Sequence, residues 1–206
     1  MGRAGHAEHM LLEELPRVSD RRLALRITAD AERQVRGGHP WVFDGSITSV
    51  SHEGEPGDLA VIFDKRRKFV AIGLYDPSSP IRVRVLHAGR PEQIDDDFWL
   101  GAVAAALDRR ALLASSGTTT AYRLINGEND GFPGLVADRY EDVLVVKPYS
   151  AAWIPHLRSV VGHLCDFVDS SAVVLRSSRS LQHGQPGGVP DGVALVGALP
   201  TGPVEF

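Results

Sequence analysis

The 206 residues hold a single cysteine, Cys165, which excludes an internal disulfide framework and any multi-cysteine metal site. Such sparing use of thiols fits a reducing compartment, and a cytoplasmic location is expected. No apolar run approaches the ~18 residues that a membrane-spanning helix needs. The first residues also lack the charged-then-apolar order of a secretory signal, so no membrane partner is expected. Net basicity is missing too, with 22 Lys and Arg against 26 Asp and Glu. The charge is nevertheless uneven. Residues 1–90 carry 14 Lys and Arg against 12 Asp and Glu, and the remainder 8 against 14, which gathers basic surface in the first half. Apolar content of 43% is that of a globular chain, and its length is enough to bury a core.

Residues 1–22 are polar and mixed, and read as a mobile leader with at most one helical turn near 10–15. Order begins at Leu23, where Leu23, Leu25 and Ile27 alternate with Ala24 and Arg26 at the period of a half-buried strand. Thr28 or Asp30 can cap a short helix over 31–36, which Gly37-Gly38 ends. A strand follows at Trp41-Val42-Phe43, and alternating strands at 59–63, 70–74 and 81–85. Five short strands and one small helix in so few residues predict a small closed or half-closed barrel. Asp95-Asp96-Asp97 then opens a linking helix across 91–118, with Arg109 and Arg110 suited to the negative end of its dipole. Beyond it, strands at 143–146 and 173–175 flank a helix that carries Trp153, Leu157, Val160, Leu164 and Val168 on one face. A further short strand is read at 194–196.

The most shaped stretch is 122–140, Y-R-L-I-N-G-E-N-D-G-F-P-G-L-V-A-D-R-Y. Three glycines and a proline between two apolar runs read as strand, loop, strand. Glu128, Asp130 and Asp138 are candidates for a Mg²⁺ site or an acid/base pair, and equally for turn residues bonded to their own backbone. This stretch resembles the signature of the PUA-containing ribosomal RNA large-subunit cytosine-C5 methyltransferases, with Asn129 and Phe132 as mild departures from it. Gly37, His39, Pro40, Trp41, Val42, Phe43 and Gly45 meet a second motif of the same family.

The resemblance implies an α+β chain. A PUA-like RNA-binding barrel would occupy 23–90, a linking helix 91–118 and a compact α/β middle domain 119–206, stopping short of a C-terminal methyltransferase domain. It implies ribosomal RNA as partner, and S-adenosylmethionine as the cofactor of a full-length member but none in this chain. A homodimer is compatible with it. No catalytic residue and no metal ligand is expected here. The family's nucleophilic cysteine would belong to the missing domain, and Cys165 reads as a core thiol.

The clearest functional feature is Lys65-Arg66-Arg67-Lys68, placed in the turn between two strands. Four adjacent cations repel one another, and a polyanion relieves that repulsion. Arg82 and Arg84, read as sharing the outer face of one strand, are secondary RNA candidates. So are Arg36 and His39 beside the Gly37-Gly38 turn, although His39 also reads as a cap held by backbone. Two other readings stay open: a self-sufficient RNA-binding protein, and a small metal-dependent hydrolase using Glu128 and Asp130.

Overall fold

The computed structural model describes residues 12–178, 181 and 190–203. Residues 1–11 of the leader, most of the 182–192 loop and Val204-Glu205-Phe206 lie outside the described residues. The part of the leader that is described holds a 3₁₀ turn, Leu12–Glu14, whose Glu13 pairs with Arg158.

The first half contains β1 (Arg22–Ile27), α1 (Ala29–Arg36), β2 (Trp41–Phe43), β3 (Ile47–Val50), β4 (Leu59–Phe63), β5 (Phe69–Tyr75) and β6 (Ile81–Ala88). Thr28 caps α1 by accepting the Ala31 N–H. The six strands form one sheet in the order β2-β6-β5-β4-β1-β3, with β1 parallel to β4 and every other pair antiparallel. Its edge strands β2 and β3 are consecutive and joined by the 3₁₀ turn Asp44–Ser46 alone. Three residues reach only ~10 Å, so the sheet must curl until its edges nearly meet. The half-closed form of the expected barrel is the one found. β3 is an addition to the strands anticipated from sequence.

The expected single linking helix is two, α2 (Asp96–Asp108) and α3 (Ala111–Ala114). Asp95 caps α2 through the Phe98 N–H. The second sheet follows in the order β11-β10-β9-β8-β7, built from β7 (Ala121–Asn126), β8 (Leu135–Tyr140), β9 (Val143–Pro148), β10 (Ala172–Leu175) and β11 (Val193–Gly197). Between β9 and β10 run a 3₁₀ segment, Ala151–His156, that absorbs Pro155, and α4 (Leu157–Phe167). α2 and α4 pack together over this sheet. No helix among the described residues is long and apolar enough to cross a membrane.

Two cores result. One, inside the curled sheet, joins Leu23, Leu25, Val35, Val42, Ile62 and Val83. The larger one joins Leu59, Ile72 and Leu74 of the first sheet to Leu124, Phe132, Leu135, Trp153 and Leu157 of the second half. The first sheet is therefore covered on both faces along β4 and β5. Phe132 stacks on Trp153 with centroids 5.9 Å apart, and the Trp153 indole N–H donates to the Pro133 carbonyl at 2.9 Å, which anchors the 127–134 loop to this core.

Arg84, Asp76 and Ser150, buried at the junction, are matched to one another, whereas the buried Nδ1 of His156 has no hydrogen-bond partner. Arg84 and Asp76 lie 3.7 Å apart with side chains each 5% exposed. Arg84 also donates to the Ile81 carbonyl and to Ser79 Oγ, and Ser150 Oγ donates to Asp76. A Cβ on Gly134 would come within 3.0 Å of Arg84 Nε, and Gly134 has φ +80°, so glycine is required there on both counts. The expectation that Arg84 shares an outer, solvent-facing surface with Arg82 is thus corrected. That face of β6 is covered by the second half of the chain, and Arg84 is 4% exposed. His156 completes the junction, its Nε2–H donating to the Gly57 carbonyl at 2.8 Å, and burial pushes its pKa down. Arg84→Met should lower the unfolding free energy by about 3–5 kcal/mol, because it leaves Asp76 buried without its counter-charge. Urea denaturation measures this, and a loss under about 1 kcal/mol would show that the pair does not secure the junction.

Candidate nucleic-acid interface

The hairpin between β4 and β5 is built by Asp64. Its Oδ1 accepts the N–H groups of Arg66 and Lys68, each at 2.8 Å, while its own N–H donates to the Lys68 carbonyl. The Lys68 N–H does most to hold the Asp64 carboxyl below the usual carboxylate range; burial opposes it, and the Arg66 N–H with the charges of Arg36 and Lys68 adds to the lowering. A tight Asx-type turn follows, and all four cationic residues, Lys65 to Lys68, are exposed. Arg67 takes φ +62°, a conformation that disfavours a residue with a Cβ. Among the described residues none of the four makes an ion pair, whereas most arginines of the chain do.

The other sequence candidates fall into two places. Arg36 lies at the hairpin, 3.7 Å from Asp64 and 2.9 Å from Glu32. His39 follows the Gly37-Gly38 turn, and its Nδ1 lies 3.0 Å from the Trp41 carbonyl and 3.3 Å from the Trp41 N–H, so backbone holds its ring as a cap. Arg82 belongs elsewhere. It is held by Asp44 at 2.6 Å and by the carbonyls of Asp76 and Pro77. Arg84 is buried beside it. The structure therefore brings Arg36 to the tetrad and commits Arg82 and Arg84 to structural pairs. Sequence reasoning passes over Arg26, an exposed residue of β1 that lines a groove with Arg67. Its alternation with Leu25 and Ile27 marks it only as the wet face of a strand.

The carboxylates of the 122–140 stretch are taken up internally. Asp130 accepts from Arg109 at 2.6 Å, Arg110 at 2.9 Å and the Asn126 N–H at 2.7 Å. Burial pushes its pKa up, but the hydrogen bonds from Arg110, Asn126 and Arg109 outweigh that, so the net shift is downward. A carboxyl held ionised in this way is poorly suited to general acid work. Glu128 accepts the Trp41 indole N–H at 3.0 Å, and Asp138 pairs with Arg123 at 2.8 Å rather than with its neighbour Arg139. Arg109 and Arg110, read from sequence as dipole partners, serve Asp130 instead. Two of the loop's N–H groups turn inward, Gly131 to the Glu128 carbonyl and Phe132 to that of Gly127. Among the described residues no group of three His, Cys, Asp or Glu is placed to hold a metal. Cys165 is half-buried, and burial pushes its thiol pKa up.

A model described as "PUA-like domain" matches residues 25–88. A ribosomal RNA large subunit methyltransferase of Deinococcus radiodurans is 49% identical over 196 residues, which is 93% of this chain and 48% of that protein. Ribosomal RNA large subunit methyltransferase I of Tolumonas auensis is 34% identical over 158 residues, 74% of this chain and 40% of that protein. The chain thus spans about half the length, or less, of the curated relatives it matches. Among solved structures, a Streptococcus mutans protein assigned as a SAM-dependent methyltransferase has a TM-score of 0.64 at 17% identity, covering 75% of this chain and 40% of that one. Another assigned methyltransferase, solved in complex with SAH, has the same TM-score at 16% identity. The two structural matches speak to fold alone.

Removing the acidic charge from the loop tests its pairing. Asp130→Asn should destabilise the chain by about 2–3 kcal/mol at neutral pH, since it strips the partner from a largely buried Arg110. The native pKa of Asp130 lies below its unfolded value of about 3.9, so its contribution is fully present above that value and fades as pH falls through the native pKa. The gap between wild type and variant should therefore stay constant above about pH 5 and close in stronger acid. Denaturant midpoints across that range measure it, and a gap that widened in acid would contradict the pairing.

Proposed function

We propose, for a chain homologous over most of its length to ribosomal RNA large-subunit methyltransferases and carrying a PUA-like domain, that these residues form the RNA-gripping and orienting portion of such an enzyme. The observation that carries the reading is the exposed run Lys65 to Lys68, stiffened by Asp64 and, among the described residues, without an ion pair, where most other arginines have one. Each such cation that meets a phosphate releases counterions, which gives affinity independent of sequence. Arg36, on α1, lies beside the hairpin with its charge shared between Glu32 and Asp64, and His39 flanks it as a backbone-held ring.

The second sheet and its helices serve to orient what the hairpin holds. They share the larger core with the first sheet and are tied to it by Arg84, Asp76, Ser150 and His156, so RNA on the hairpin keeps a fixed direction relative to the rest of the enzyme. Methyl transfer to cytosine C5, with S-adenosylmethionine as donor, takes place in this reading on a catalytic portion outside the described residues. The ion-paired carboxylates Asp130 and Asp138 support that division.

Two measurements test the reading. Replacing Lys65, Arg66, Arg67 and Lys68 with alanine should flatten the log–log salt dependence of RNA affinity by about 0.7–0.9 for each phosphate no longer neutralised. An unchanged slope removes the hairpin from the RNA surface. S-adenosylmethionine titrated into the 206-residue chain should give no saturable heat in calorimetry, and micromolar binding would bring the donor site into these residues.

A further inference from the structure

A groove of about 440 Å³ opens beside the basic hairpin. Its walls are Arg26 of β1, Ser49 and Val50 of β3 with Ser51 just past it, and Phe63 and Arg67 where β4 enters the turn. The pairing explains why these meet. Arg26 sits opposite Phe63 in the parallel β1–β4 ladder and opposite Ser49 in the antiparallel β1–β3 ladder, so one residue of β1 centres the groove.

Its chemistry is one-sided. No acidic residue lines it, and Ala24 and Leu25 complete the wall. Arg26 and Arg67 are both exposed, and neither makes an ion pair or a side-chain hydrogen bond among the described residues. Most other described arginines are paired, as Arg82, Arg110 and Arg123 illustrate, although Arg17, Arg21 and Arg22 are exposed without an ion pair as well. Arg67 takes φ +62°, a backbone conformation that glycine adopts more readily. Opposite the charges lie the half-buried Phe63 and Val50, the latter 40% exposed, which give the groove an apolar wall. Ser51 Oγ is occupied by the Ala24 N–H, whereas Ser49 makes no side-chain hydrogen bond among the described residues.

Two guanidiniums, an aromatic wall and a free hydroxyl suit a group that is anionic at one end and flat and apolar at the other. We propose that the groove seats one unpaired nucleotide of the RNA strand held by the hairpin, with its base against Phe63 and Val50 and its phosphate between Arg26 and Arg67. The inference rests on the RNA reading of the hairpin and adds that the strand is single-stranded there. A paired base keeps its faces stacked in the helix, and only a splayed one can lie on an aromatic ring.

The test uses the 206-residue chain and fluorescence anisotropy with two labelled probes, a short single-stranded RNA and a duplex RNA hairpin of the same composition. The wild type should prefer the single strand. Phe63→Leu should weaken single-strand binding by about tenfold and leave duplex binding unchanged. Arg26→Gln should flatten the single-strand salt slope by about 0.7, and being at an exposed position it decides the matter if Phe63→Leu lowers the melting temperature. If replacing the four hairpin cations weakens both probes while Arg26→Gln and a folded Phe63→Leu leave the single strand unaffected, the groove is overturned and the hairpin's grip on RNA stands. If the wild type binds neither probe at low salt, the RNA reading itself fails and the groove falls with it.

Discussion

A guanidinium and a carboxylate, both nearly sealed from water, meet where the two halves of the chain touch, and the arrangement of everything else depends on that meeting. Burying Arg84 and Asp76 is costly, and their mutual attraction offsets the cost only where further hydrogen bonds satisfy the remaining donors and acceptors. Those bonds are present. Arg84 reaches the Ile81 carbonyl and Ser79, and Asp76 accepts from the Ser78 N–H and from Ser150. Because Ser150 and Gly134 come from the second half, the pair is satisfied only when the halves meet in one register. Its main contribution is a single geometry, which a purely apolar junction between the same surfaces would define less well.

Pairing of charge also sorts the surface. Asp130 gathers Arg109 and Arg110, Asp138 takes Arg123, Asp44 takes Arg82 and Asp191 takes Arg176. Each pair removes a cation from the field that an approaching polyanion would feel. Among the described residues of the curled sheet, the hairpin cations, Arg22 and Arg26 are left without an ion pair. A chain with a net charge of −4 can therefore present a local positive end, and whole-chain charge is a poor guide to what it binds.

Much of this is legible in the residues. The alternation at Leu23, Leu25 and Ile27, the Thr28 cap and the turn after Phe63 all appear where their patterns place them, because each is local physics of period, cap or turn. β3 escapes such a reading because I-T-S-V offers only a half-buried Ile47 and an exposed remainder, with no core-facing stripe. Arg84 is misplaced by it for a different reason. Alternation tells which residues share a face of a strand, but not whether a second layer covers that face. The partner of Arg109 and Arg110 lies 20 or more residues away, and the freedom of Arg26 is a fact about what does not reach it. Long-range pairing of charge is set by tertiary placement, and no local pattern encodes it.

The division of charge also bears on how an RNA would lie. Counterion release at the hairpin supplies affinity without sequence, and a wholly basic surface would grip RNA in many orientations. Here the second half carries an excess of acid, with 8 Lys and Arg against 14 Asp and Glu from residue 91 onward. That excess repels a polyanion wherever it is not neutralised. On the proposed reading, an RNA drawn to Lys65 to Lys68 would be discouraged from spreading across the α/β half and held to the end where Arg26 and Arg67 stand. Since the junction fixes that end relative to the second sheet, electrostatics chooses the place of binding and packing chooses its direction.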